Sequence, residues 1–226
     1  MVDINKSWFP SFPSSIQNWN KRDFLILWKA PWNKSMEDNL YFNGSSNKFW
    51  ELWNEEWLKG NKEKQIEFLK SNWIVLWDRM KDFIAKDNSS MDNKRKAESY
   101  NDIRWLLEMR LPYNKQYNYP TIILLWVRKV KESLEIGTPF YINFLDDNKK
   151  YNVEWKLNTL TKKEILNCVL NRQEKILIKH CEDDEKFKPF YLVACYDTSW
   201  GSFMTFGEKL GSWRKSWLTC LKKLKS

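Results

Sequence analysis

The chain has 226 residues, 42% of them hydrophobic and 30% charged, a balance that argues against disorder and allows one large domain or two small ones. Its net charge of +9, from 38 Lys and Arg against 29 Asp and Glu, points to a polyanionic partner such as nucleic acid. The longest apolar run, Ile122 to Val127, is far short of the roughly 20 residues that span a bilayer, and the opening MVDINKSWFPSFPSS has neither the cationic start nor the apolar centre of a signal peptide, so the sequence predicts a cytoplasmic protein with no membrane partner.

The first 15 residues carry Pro10 and Pro13 among Trp8, Phe9 and Phe12, which predicts an extended aromatic arm. Phe24 to Lys29 is a short apolar run that fits strand or helix equally. Asn43 to Asn47 reads as a turn and helix start. Phe49, Trp50, Trp53 and Trp57 then fall on one helical face, and Gly60 supplies a left-handed stop. A second helix is predicted from Lys62 to Lys86, because Ile66, Leu69, Trp73, Leu76, Trp77, Met80 and Phe83 recur at threes and fours. The short link at Gly60 makes these an antiparallel pair, with Trp53, Trp57, Trp73 and Trp77 in its core.

Residues 87–96, DNSSMDNKRK, form a polar linker. A third helix is expected from Ala97 to Arg110, then a tyrosine-rich loop to Pro120. Thr121 to Glu135 reads as a further helix, on the stripe Ile123, Trp126, Val127, Val130 and Leu134.

The second half centres on a β-β-α-β unit. Phe140 to Leu145 and Tyr151 to Leu157 are predicted strands joined by the turn DDNKK. Thr161-Lys162-Lys163-Glu164 fits a capping box opening a helix, and Lys175 to Cys181 returns as a strand. Phe190 to Tyr196, FYLVACY, has the continuous apolar character of a buried strand and is expected to pair antiparallel with that return. A further strand is expected at Ser202 to Phe206. A helix from Ser212 to Lys225, capped by Ser212, ends the chain, with Trp213, Trp217 and Leu221 inward.

Cys168, Cys181, Cys195 and Cys220 are scattered, and His180 is the sole histidine, so no zinc pattern exists and reduced thiols are predicted. Neighbouring strand residues point to opposite faces, which keeps His180 from activating Cys181. No GxxxxGK[ST] or GxGxxG loop is present, and the sequence implies no cofactor.

Two constellations carry functional readings. Glu154 and Lys156 alternate on one predicted strand, with Asp146 and Asp147 in the turn before it. Carboxylates that hold a divalent ion, beside a lysine at the attacking water, are what phosphodiester cleavage uses. The line Pro139-Phe140…Val153-Glu154-Trp155-Lys156 resembles the PD-(D/E)xK nuclease pattern, with Phe140 where that family has its acidic residue after proline. That resemblance implies metal-dependent cleavage with Asp147, Glu154 and Lys156 as the catalytic residues. The other constellation is the basic C-terminal helix, where Arg214, Lys215, Lys222, Lys223 and Lys225 lie opposite its apolar side and suit phosphate contact.

The sequence therefore predicts an α+β protein: residues 1–120 mainly helical with a Trp-rich helix pair, and 121–226 a small antiparallel sheet with flanking helices. The leading reading is a non-enzymatic binding protein for nucleic acid or a nucleoprotein complex, its Lys, Asn and Trp bias suiting a viral or mobile-element accessory. The alternatives are the metal-dependent nuclease, in intact or degenerate form, and a protein–protein inhibitor or assembly subunit using exposed tryptophans.

Overall fold

A computed structural model describes residues 24–28, 40, 42, 47–53, 56–72, 74–78, 80–85, 95–100, 121–126, 145–154, 159–172, 175–182, 184, 185, 187–196, 198 and 205–221. The elements in chain order are β1 (Phe24–Trp28), α1 (Phe49–Leu52), a 3-10 turn (Glu56–Leu58), α2 (Lys62–Ser71), β2 (Ile74–Asp78), β3 (Met80–Ala85), β4 (Arg95–Tyr100) and β5 (Thr121–Trp126). Then come β6 (Lys150–Val153), β7 (Leu160–Thr161), α3 (Lys162–Arg172), β8 (Ile176–Cys181), β9 (Phe190–Tyr196) and α4 (Phe206–Leu221).

Seven strands make one mixed sheet in the order β2-β1-β5-β9-β8-β6-β7. The first part is parallel: Ile26 pairs with Leu76 and Ile123, and Ile123 in turn with Val193. From β9 onward the pairing is antiparallel, as in Leu177 with Tyr191 and Tyr151 with Cys181. β3 and β4 form a separate antiparallel ribbon.

Alternation along the parallel strands sends side chains into two cores. Leu25, Leu27, Ile122, Leu192 and Ala194 join Ile165, Leu166, Val169 and Leu170 of α3 on one face. Ile26, Ile123, Val193 and Cys195 meet Phe49, Trp50, Leu58, Leu69 and Trp213 on the other. With both faces covered, these strands read as unbroken apolar runs rather than alternating ones. The second core is rich in aromatic contacts: Phe49 stacks on Phe42 at 3.9 Å and meets Trp50, Trp53 and Trp213 edge-on at 4.9, 6.1 and 5.9 Å.

This architecture corrects the expected mainly helical N-terminal half. The helix predicted over 62–86 stops at Ser71, where the Asn72 side chain donates to the Phe68 carbonyl at 2.9 Å. Beyond that stop the chain enters β2 and then β3. Ile74, Val75, Leu76 and Trp77 satisfy helical threes and fours only because they form a continuous run, and a strand buried on both faces looks the same. The same ambiguity underlies the helix expected from Thr121, which is β5, and the start of the helix expected from Ala97 lies in β4. The short run whose type the sequence leaves open is β1. The sheet in the second half is mixed, not antiparallel, since β9 has parallel β5 on its other side. Among the described residues no Trp-paired helical hairpin forms: Trp57 is 60% exposed, Trp53 packs half-buried on the second core, Trp77 belongs to β2, and Trp73 lies outside the described residues.

Several local signals do appear in the structure. Gly60 has φ +79. Thr161 and Glu164 form the capping box, with the Thr161 amide donating to Glu164 Oε2 at 2.8 Å. A second box opens α4, where the Thr205 amide donates to Glu208 Oε2 at 2.8 Å and the Glu208 amide to Thr205 Oγ1 at 3.2 Å. Ser212 is therefore mid-helix, not a cap, and its buried hydroxyl accepts the Tyr196 amide at 3.3 Å. Of the strand expected at Ser202 to Phe206, Phe206 begins α4 and 202–204 lie outside the described residues, as do the N-terminal arm and residues 140–144.

Candidate functional site

The order of the parallel strands reverses at β1: β2 lies on one side of it and β5 on the other. In open α/β sheets the chains leave such a point in opposite directions, and a crevice forms beyond the carboxyl ends of the strands. Here those ends are Asp78, Trp28, Trp126 and Tyr196, with Trp28 paired to Asp78 and Trp126 to Tyr196. Each parallel strand thus finishes with an aromatic residue last or next to last, Trp77 being the one in β2.

Two helical segments are tied to this edge beside β9. The Trp213 indole donates to the Tyr196 carbonyl at 2.9 Å, and the Lys48 amide donates to the Thr198 carbonyl at 2.9 Å. Thr198 is fully buried, and its hydroxyl has no hydrogen-bond partner among the described residues. An unpaired buried hydroxyl costs about 1–3 kcal/mol, and with no exposure it lies beneath the surface of the edge, not on it. Asn47, adjacent to Lys48 in sequence, is buried, and its Oδ1 accepts the Phe49 amide at 2.9 Å.

The charges around the edge are unequal in availability. Lys48 Nζ is 2.7 Å from Glu51 Oε1, and Lys59 Nζ is 3.5 Å from the same oxygen. Burial pushes the Glu51 carboxyl up, but the hydrogen bonds and charges of the two lysines outweigh it and hold the group below its ordinary range. Both lysines are thereby engaged. Arg214 follows Ser212 and Trp213, which both bond Tyr196, and its side chain is exposed. Of the other basic residues nominated from the sequence, Lys215 lies in α4 with its side chain outside the described residues, and Lys222, Lys223 and Lys225 lie beyond them altogether.

The acidic constellation is at the opposite, antiparallel part of the sheet. Asp147 sits in an exposed turn fixed by Asp146, whose Oδ1 accepts the Asn148 amide at 2.9 Å. Its carboxylate pairs with Lys162 Nζ at 3.0 Å, and Lys162 is almost wholly buried. Glu154 is an exposed turn residue just past β6, its amide donating to the Leu177 carbonyl at 3.1 Å. Asp147 and Glu154 thus flank the two ends of a four-residue strand, about 13 Å of extended chain. Lys156 lies outside the described residues, and no group of three or more His, Cys, Asp or Glu suited to a metal ion occurs among the described ones. His180 is exposed, 2.6 Å from Asn152 Nδ2, while Cys181 is buried, so the two do face apart. Cys168, Cys181 and Cys195 are free thiols.

Sequence reasoning missed Trp28, Trp126, Tyr196 and Thr198. A readable signal existed. The runs FLILW-K, IVLWD-R and FYLVACY-D each end on an aromatic residue or one step past it, and a charge comes directly after.

No protein family and no curated protein matches the sequence. Among solved structures, a candidate uracil DNA glycosylase from Methanosarcina acetivorans, determined by solution NMR, is similar at 26% identity over 51% of this chain and 71% of that one. The TM-score of 0.37 is too low to establish a common fold. No helix among the described residues is long and apolar enough to cross a membrane.

Proposed function

We propose that this protein binds nucleic acid along the carboxyl edge of its parallel strands, as a binding protein and not as an enzyme. The observation that carries the reading is the reversal of strand order at β1, which brings the backbone positions of Trp28, Trp126 and Tyr196 to one edge of the sheet, the Tyr196 side chain half-buried against the first core. Stacking on aromatic rings holds unpaired bases at about 1–3 kcal/mol each and tolerates any sequence. Exposed Arg214 beside the end of β9 supplies a phosphate contact, and the net charge of +9 favours a polyanion over a neutral or basic surface. Lys215, Lys222, Lys223 and Lys225 continue the same basic segment in sequence.

The test is a fluorescence-anisotropy titration of a labelled single-stranded 20-mer against salt. The parent is expected to bind with log K falling linearly in log salt. Tyr196→Ala should weaken binding roughly 5- to 150-fold through lost stacking. Changing Lys215, Lys222 and Lys223 together to Gln should flatten the salt slope by about two to three units. Absence of detectable binding by the parent at low salt removes the proposal.

A further inference from the structure

Among the described residues two large hydrophobic side chains stand exposed, Trp57 at 60% and Phe206 at 42%. A single exposed apolar residue is ordinary on a protein surface. Trp57 differs in what holds it and in what stands beside it. Its 3-10 turn is fixed from below: the next residue, Leu58, is wholly buried in the second core. The Leu58 carbonyl accepts both the buried Gln65 Nε2 at 3.0 Å and the Asn61 amide at 3.2 Å. Gly60, at φ +79, turns the chain in the left-handed region that glycine enters without strain, and Asn61 caps α2 by accepting the Lys64 amide at 3.0 Å. The backbone under the ring is thus set before anything binds, and a ring presented from a fixed turn has little freedom left to lose.

Lys64 brings its Nζ to 5.1 Å from the centre of the Trp57 ring, within reach of a cation–π contact. On α2 the exposed Glu63, Glu67 and Lys70 share one side, and Lys64 stands about 100° round from Glu63. An aromatic ring with a cation at it is the pairing that unpaired nucleic acid uses, base on ring and phosphate on lysine. A protein partner would ask for apolar neighbours around the ring. The exposed residues that follow it, Gly60, Glu63, Lys64, Glu67 and Lys70, include none. The turn is also joined to the carboxyl edge. Lys48 and Lys59 share the Glu51 carboxylate at 2.7 and 3.5 Å, and the Lys48 amide donates to the Thr198 carbonyl just past β9.

We propose that Trp57 stacks on an unpaired nucleobase, with Lys64 on the adjoining phosphate, as a second contact for a strand held at the carboxyl edge. This rests on the nucleic-acid reading above and deepens it, because the group recognised away from the edge is a base and not only the backbone.

The experiment is the anisotropy titration of the labelled single-stranded 20-mer, run on variants of the full chain. Trp57→Ala should weaken binding roughly 5- to 150-fold. Trp57→Phe, which keeps a ring, should recover most of that loss, and Lys64→Gln should flatten the salt slope by about 0.7 units. All three variants should melt close to the parent, which shows that the turn is intact. If Trp57→Ala binds the strand as the parent does while Tyr196→Ala weakens it, the role of Trp57 is refuted and binding at the edge stands. If Trp57→Ala weakens it and Tyr196→Ala does not, the strand lies at the turn and the edge reading falls. If Trp57→Phe binds no better than Trp57→Ala, stacking is refuted. Absence of binding by the parent at low salt removes both proposals.

Discussion

Trp50 and Trp57 sit seven positions apart in one aromatic stretch, and the fold uses them in opposite ways. Trp50 is wholly buried, edge-on to Phe49 at 4.9 Å and to Phe68 at 5.8 Å. Trp57 is 60% exposed, with Lys64 Nζ 5.1 Å from its ring. Denaturant unfolding should separate them: Trp50→Ala is expected to cost about 3–5 kcal/mol, and Trp57→Ala less than about 1 kcal/mol. Equal losses would contradict the burial. Tyr151 gives a test in pH. Burial raises its phenol to about 12, opposed by the Asp146 amide that donates to its oxygen and assisted by Cys181. The folded state therefore holds the proton more tightly than the unfolded chain, whose tyrosine releases it near 10. The contribution is complete below pH 10 and is lost as pH rises from 10 to 12. Tyr151→Phe should make the stability curve flatter across that interval, measured as the urea midpoint against pH. The carboxylate of Asp147 holds the buried Lys162, so Asp147→Asn is expected to destabilise by about 1–3 kcal/mol, whereas Lys162→Met, which removes the buried charge itself, should be close to neutral.

At the scale of elements, the two capping boxes decide where helices begin. Glu164 and Glu208 each accept both the amide and the hydroxyl of the threonine three residues earlier. Replacing either glutamate by alanine should cost about 1 kcal/mol, read from thermal melts, with no change if the boxes are incidental. The first box is legible in the sequence because a polar turn and an apolar stripe frame it. The second is masked by the nearby Ser212, although Thr205-Phe206-Gly207-Glu208 has the same spacing. β8 and β9 are legible for a different reason: each is short, apolar and bounded by charged turns. β2 and β5 are not, since a strand buried on both faces loses its period of two and then matches a helical template as well. The basic helix is visible in the sequence as an element, while the aromatic strand ends come together only once pairing brings β1, β5 and β9 side by side.

At the scale of the molecule, the described residues are built on a mixed sheet with a parallel half and an antiparallel half. The antiparallel strands β8, β6 and β7 bury Tyr151, Val153 and Leu160, and the Asp147–Lys162 pair lies beside them. The parallel strands present their carboxyl ends together, with buried Thr198 and exposed Arg214 beside them, and the β3–β4 ribbon rises from the same edge. We propose this edge, with the basic segment around Arg214, as the binding face. The most direct test is ultraviolet cross-linking of the protein to a thymine-rich single-stranded 20-mer, followed by peptide mass spectrometry. Cross-links at Tyr196, Trp126 or Trp28 are the predicted result. Cross-links confined to the turn at Asp147 or to β6–β8, with none at the carboxyl edge, would contradict it.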